Sequence, residues 1–344
     1  MRYAYIGCRT TKERGARGKG IQVYSISDEL RWEHVQTVGG LVNPSFLTLD
    51  RTGDFLYTVH GDRSEISSFS VDKSTGCLEY INTVSTEGTN PVHLSIDRTG
   101  RWIFVANLQT GTVVTVPRNQ DGSLSPVVSR TVIPGKEEGT VSHPHQVAED
   151  ISGKYLLVSC QGRAKGFGQV DVFRIDSGTG NLELTCRVRS REIAEPRHLA
   201  FHSNGAWCYG VNEKDYSVTA YSFSEGQLSA RQILPTLPET YTGDGWASGI
   251  VMSPDDSVVV VSNRKHDSLT SFLVDKETGL LRYSDCVKTG GGQPRFITYT
   301  PWGTVLAANE LSDTITEFKV DKDGHFSSTG FVLSTESPVC LIFS

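Results

Sequence analysis

No apolar stretch in this 344-residue sequence approaches the roughly 18 consecutive residues needed to span a bilayer. Nor does the N-terminus carry a signal-peptide pattern. Both absences point to a cytoplasmic protein that does not engage a membrane. An excess of positive charge is also missing: 33 Lys and Arg stand against 39 Asp and Glu, a net charge of −6. That balance argues against a general nucleic-acid binder. The seven cysteines, at 8, 77, 160, 186, 208, 286 and 340, are odd in number, scattered and free of any C-x-x-C pair. A reduced chain follows, with Cys160 and Cys208 acting as small hydrophobes in apolar strands. Helical periodicity is absent as well, which leaves an all-β chain. No serine sits in a G-x-S-x-G elbow. The glycine-rich run 15–20 does not open a helix after a strand, so it is no dinucleotide fingerprint, and no cofactor is expected.

What is present is one phrase, repeated. Pro44-Ser45-Phe46-Leu47-Thr48-Leu49-Asp50 is followed by Arg51-Thr52-Gly53 and by an apolar run ending at His60. The phrase restarts at Pro91, Pro144, Pro196, Ala247, Pro294 and Pro338. A period of about fifty residues with several short strands per unit is the mark of a β-propeller. The last phrase holds a first strand only, and its missing second half is the run Tyr3-Ala4-Tyr5-Ile6-Gly7-Cys8. The expectation is therefore a seven-bladed β-propeller over residues 1–344. Each blade has four antiparallel strands, and the C-terminal strand joins the N-terminal blade. Such closure leaves no open edge, so a monomer is the default.

Within each phrase, strands one and two form a hairpin, so the start of the first lies beside the end of the second. Strand starts then bring His93, His143, His145, Arg197, His198 and Arg295 to one face of the disc. Strand ends bring His60, Asn107, Glu213, Arg264, Asn309 and Glu310 to the same face. Arginine forks pair with carboxylate or phosphate, and a nearby carboxylate or imidazole can activate water. An anionic small molecule is the implied partner, although Glu213–Arg197 and Glu310–Arg295 would also serve as plain salt bridges. Strand alternation would put His143 and His145 on one side, where they could meet zinc with His198. Further ligands at metal spacing are missing, and no metal is assigned. His34, His202 and His325 read as surface or turn residues. The basic loop Arg9, Lys12, Arg14, Arg17, Lys19 leaves the same face and could reach a phosphate, a solvated loop being the plainer reading. The loop 161–168 borders that face too, and the insertion 235–246 would wall it with Tyr241 and Trp246.

The segments E-P-R-H-L-A-F-H-S-N-G-A-W-C-Y-G-V-N-E (195–213), W-A-S-G-I-V-M-S-P-D-D (246–256), S-N-R-K-H-D-S-L (262–269) and Q-P-R-F-I-T-Y-T-P-W-G (293–303) resemble the seven-bladed propeller lactonase family. This family includes propeller-type 6-phosphogluconolactonases and carboxy-cis,cis-muconate lactonizing enzymes. The opening Y-I-G-C-R-T-T resembles that family's start. The resemblance implies a small anionic lactone, or a related acid, as the molecule bound. For hydrolysis of a sugar-acid lactone such as 6-phosphogluconolactone, the expected roles are Glu213 as general base, His145 or His198 as acid, and Arg197, Arg264 and Arg295 on the anionic group and the developing charge of the carbonyl oxygen. His143, His93 and Asn107 are expected to line the same substrate site. Many relatives follow the histidine strand with an apolar-Gly-x-Asp segment, whereas this chain has Cys160-Gln161-Gly162-Arg163. The same residues would serve cyclisation of a muconate, and a non-catalytic platform binding a metabolite or protein at the mouth is the reading from another class.

Overall fold

In the computed structural model, which describes residues 2–344, the phrase becomes a blade. Twenty-eight strands form seven four-stranded antiparallel sheets. The second strand of each sheet is mostly apolar until its last residues, because neighbouring blades cover both its faces. Val258–Arg264, V-V-V-V-S-N-R, is buried at every position. Outer strands such as Leu78–Ser85 instead have exposed residues along much of their length, since only one side is covered. The first blade is made by Arg2–Cys8, Ile21–Ile26 and Trp32–Val38, with Pro338–Phe343 as its innermost strand. Ala4 pairs with Phe343 and Ile6 with Leu341, which closes the ring as expected. Blades two to seven begin at Pro44, Pro91, His143, Pro196, Trp246 and Pro294.

The hydrophobic core is divided among the blade interfaces. Seven clusters occur, one at each junction: Tyr5, Val23, Leu47 and Leu56 join the first and second blades, and Ile6, Tyr24, Leu306 and Ile315 join the first and seventh. The others repeat the pattern around the ring. A glycine in the turn after the third strand also locks blades together. Gly180 has φ of 74°, and a Cβ there would meet the Trp102 ring of the preceding blade at 3.0 Å. A side chain would be both strained and obstructed. No helix among the described residues is long and apolar enough to cross a membrane.

One irregularity repeats in every blade and determines what the central face presents. In the second blade Pro44 pairs with His60 and Phe46 with Val59, so Ser45 is left as a bulge. The same slip isolates Val92, His145, Arg197, Arg295 and Val339. In the sixth blade it spans Ser248 and Gly249. A bulge breaks the two-residue alternation and re-aims the extra side chain.

Candidate active site

Two rings of equivalent positions build the face where first strands begin. The bulges supply His145, Arg197 and Arg295. The residues closing or just following the second strands supply Arg9, Gln161, Glu213, Arg264 and Glu310. In the second and third blades these positions hold Ser45, Gly61, Val92 and Leu108, so the charge occupies one arc and leaves the other neutral.

Glu213 lies at the centre of that arc. Its Oε2 faces Arg197 Nε at 3.1 Å and Arg264 Nη2 at 3.2 Å. Gln161 Nε2 donates to Oε2 at 2.9 Å, and Trp246 Nε1 donates to Oε1 at 2.7 Å. Burial alone would raise the pKa of this carboxyl, but Arg264 and Arg197 hold it well below the usual range. Both oxygens are therefore engaged, and the carboxylate is a weak base in this state. The expectation that Glu213 itself draws a proton from water does not fit this geometry. Arg197 is buried, and its Nη1 donates to the Ser248 carbonyl at 2.9 Å. Arg264, only 1% exposed, donates to the Ala247 carbonyl at 2.9 Å and lies 4.2 Å from the Trp246 ring. Burial lowers the pKa of Arg264 to about 10.

Beneath the arginines lies a floor of rings. His93 stacks on Phe46 with centroids 3.8 Å apart, and His198 lies 5.7 Å from His93 and 5.1 Å from His145. His198 of the fifth blade also meets Phe46 of the second, at 6.5 Å, so these rings reach across the axis. Burial, with the nearby Arg197, pushes His93 down to about 3 and His145 and His198 well below the ordinary histidine value. Nδ1 of His93 and of His145 has no hydrogen-bond partner among the described residues. Neutral imidazoles thus adjoin a cationic arc.

A second cluster continues the arc. Glu310 faces Arg9 Nε at 3.0 Å and Arg295 Nη1 at 3.7 Å, and Gln293 Nε2 donates to its Oε2 at 2.7 Å. The structure thus brings together Glu213, His145, His198, His93, Arg197, Arg264 and Arg295. His143 stands at the edge, half-buried, with Nδ1 on the Leu108 carbonyl at 2.8 Å. The bulge between Pro144 and Gln146 breaks the alternation that was to place His143 beside His145. Among the described residues no group of three or more His, Cys, Asp or Glu side chains is placed to hold a metal ion.

Asn107 has protein partners for its amide. It is fully buried, and its Nδ2 reaches the Thr86 carbonyl and the Thr112 hydroxyl, both at 3.2 Å. Asn212, Asn263 and Asn309 make equivalent bonds, so this residue ties the second strand to the third and has no amide hydrogen left over for a substrate. The basic loop is largely tied to its neighbours by ion pairs. Arg14 pairs with Asp62, Arg17 with Asp313 and Lys19 with Glu336, so these side chains strap the loop to its neighbours. Only Arg9 enters the site. Of the insertion, Trp246 reaches Glu213, while Tyr241 packs on His266 at 4.4 Å. The sequence placed Arg9 and Gln161 only within loops bordering the face, not in the site, and gave no sign of Gln293. Aligning the second-strand ends would have found the first two, since Cys8-Arg9 and Cys160-Gln161 occupy the positions of Asn212-Glu213 and Asn309-Glu310.

A propeller with arginines, carboxylates and imidazoles gathered at one end of its axis matches a known family. The family model described as Lactonase, 7-bladed beta-propeller, matches residues 3–343, and the chain belongs to that family. It is accordingly a lactonase-type hydrolase. Among its relatives is the 6-phosphogluconolactonase of Bacillus subtilis, 27% identical with 98% of each chain covered. Another is the 6-phosphogluconolactonase of Formosa agariphila, 26% identical with 92% of each covered. A similar solved structure is the periplasmic gluconolactonase of Pseudomonas aeruginosa, with a TM-score of 0.89 and 27% identity, covering 100% of this chain and 99% of the other.

Proposed function

We propose that the protein hydrolyses a sugar-acid lactone carrying an anionic group, 6-phosphogluconolactone or a close chemical relative. The observation that carries this reading is the charge of the arc. Four arginines, Arg9, Arg197, Arg264 and Arg295, stand against two glutamates, Glu213 and Glu310, beside neutral imidazoles. A self-contained structural salt-bridge network would balance its charges. An excess of two positive charges suits an anionic ligand and the negative charge that develops on a carbonyl oxygen.

In this reading Arg197, held by Glu213 and the Ser248 carbonyl, polarises the lactone carbonyl. Water adds to the carbonyl carbon and passes a proton to the unpartnered Nδ1 of His145. The tetrahedral oxyanion faces the guanidinium. As the ring C–O bond breaks, the imidazolium returns the proton to the departing ring oxygen, giving the hydroxy acid. Binding of the anion offsets the arginine charges and raises the basicity of His145. Glu213 is the positioning residue that orients Arg197, Arg264 and Gln161. His198, whose Nδ1 lies 3.3 Å from Arg197 Nη1, supports the guanidinium from below.

Acid release from 6-phosphogluconolactone, gluconolactone and a carboxylated muconolactone, corrected for spontaneous hydrolysis, tests the reading. Arg197→Ala is expected to lower kcat by about 100- to 1,000-fold, the range for a lost oxyanion donor. His145→Gln is expected to lower it by about 100-fold or more, as for a lost proton carrier. If wild type turns over none of the three lactones above background, an anionic sugar-acid lactone is not its substrate.

A further inference from the structure

The arc contains the same device twice. In the fifth blade a bulge arginine, Arg197, and a strand-end glutamate, Glu213, meet the strand-end arginine of the next blade, Arg264. In the seventh blade Arg295 and Glu310 meet Arg9 of the first. Each glutamate also accepts a glutamine amide. The two triads carry one net positive charge each, yet their satisfaction differs. Arg197 and Arg264 donate to the backbone carbonyls of Ser248 and Ala247, and Trp246 stacks on Arg264.

The second triad has none of this. The guanidinium of Arg9 is about nine-tenths buried and donates no hydrogen bond among the described residues; its Nε faces Glu310 at 3.0 Å without hydrogen-bond alignment. The guanidinium of Arg295, one-fifth exposed, likewise donates none and approaches Glu310 only at 3.7 Å. Among the described residues neither arginine makes a cation–π contact. Asp62, at 4.0 Å from Arg9, is taken by Arg14. An unpaired Nε is common to both triads, at Arg197, Arg264 and Arg9; what distinguishes the second is that the Nη groups of both its arginines make no hydrogen bond to the described residues, and two planar forks meeting at one carboxylate match the oxygens of a phosphate or carboxylate.

We propose that Arg9 and Arg295, held by Glu310, form a second oxyanion subsite that binds the substrate's permanent anionic group, a phosphate monoester or a carboxylate, while the Arg197–Glu213–Arg264 triad serves the reacting carbonyl. This rests on the lactonase reading above. It places the choice between phosphorylated and unphosphorylated lactones on Arg9, which lies beside the neutral arc formed by the second and third blades.

Calorimetric titration of wild type, Arg9→Gln and Arg9→Lys with 6-phosphogluconate, a carboxylated muconolactone and gluconate tests it. Gluconate lacks the distal anion and is the control. Loss of one charge-assisted fork predicts about 10- to 100-fold weaker binding of the distal-anion ligand in Arg9→Gln, with part recovered in Arg9→Lys. Whether the phosphorylated or the carboxylated compound suffers the loss identifies the group. Arg295→Gln, at the more open position, repeats the measurement should Arg9→Gln fail to fold. The subsite is overturned if wild type binds neither distal-anion ligand more tightly than gluconate, or if the substitutions weaken all three ligands equally. Failure of the lactonase reading would show separately, as absence of turnover by wild type whatever it binds.

Discussion

At the residue scale, three buried imidazoles of the site contribute to the response to acid, and burial lowers His60, His143 and His266 in the same direction. His93, His145 and His198 have folded pKa values below the unfolded value of about 6.5. Above that pH neither state binds the proton, and the full stability is present. As pH falls below it, the unfolded chain takes up protons that the folded site refuses. Each histidine then removes about 1.4 kcal/mol per pH unit, so stability falls until the folded value is reached, which for His93 is about 3. Urea midpoints at pH 7.5 and 5.5 should show this loss, and His93→Phe, which would stack on Phe46, should make it smaller. An acid limb for kcat/KM lying below pH 6.5 is the matching kinetic expectation. Glu213→Gln tests the carboxylate. It leaves two buried arginines without their counter-charge, and a loss of about 3–5 kcal/mol in unfolding free energy is expected. A change below 1 kcal/mol would mean that the pair is effectively solvated. The residue types of this site were readable from the chain, since arginine, glutamate and histidine cluster at strand starts and ends. Their partners were not. That Glu213 is bonded on both oxygens depends on Gln161 and Trp246, which approach from other blades.

At the element scale, the repeated bulge and the repeated asparagine each explain an expectation that went astray. A single extra residue in each first strand takes His145, Arg197 and Arg295 out of the alternating pattern, and no composition rule marks its position. Asn107 looked like a binding residue because it ends a strand on the functional face. Comparison with Asn212, Asn263 and Asn309 shows a strand latch. Asn263 is the fullest example: its Nδ2 reaches the Thr236 carbonyl, Ser268 and Thr270, and its Oδ1 accepts the Thr236 hydroxyl at 2.6 Å. Asn263→Ala should cost about 2–3 kcal/mol, the range for stranding buried polar groups. Thermal unfolding would detect it, and lactone turnover at low temperature should persist. If stability is unchanged, the latch contributes nothing. The strands themselves were legible because their apolar runs, turns and prolines recur in register.

At the scale of the whole molecule, the period near fifty residues implied the ring, and the interface clusters show what maintains it. Every core cluster spans two blades, so no blade has a core of its own. Removing residues 338–344 strips the innermost strand from the first blade and exposes apolar surface on two interfaces. Cooperative unfolding should be lost or its midpoint lowered by tens of degrees, as followed by calorimetry. A truncated chain that melts like the whole one would contradict closure by that strand. The joint has a further consequence for how the protein is made. The strand Arg2–Cys8 is the first strand of the ring in chain order, yet its partner on one side is the ring's last strand, Pro338–Phe343. Until the ring's last strand is made, that edge can pair with any extended chain nearby, and a loop closure spanning nearly the whole propeller must precede the finished ring. The nascent protein therefore passes through an open, adhesive horseshoe, and that interval is when a chaperone would have most to shield.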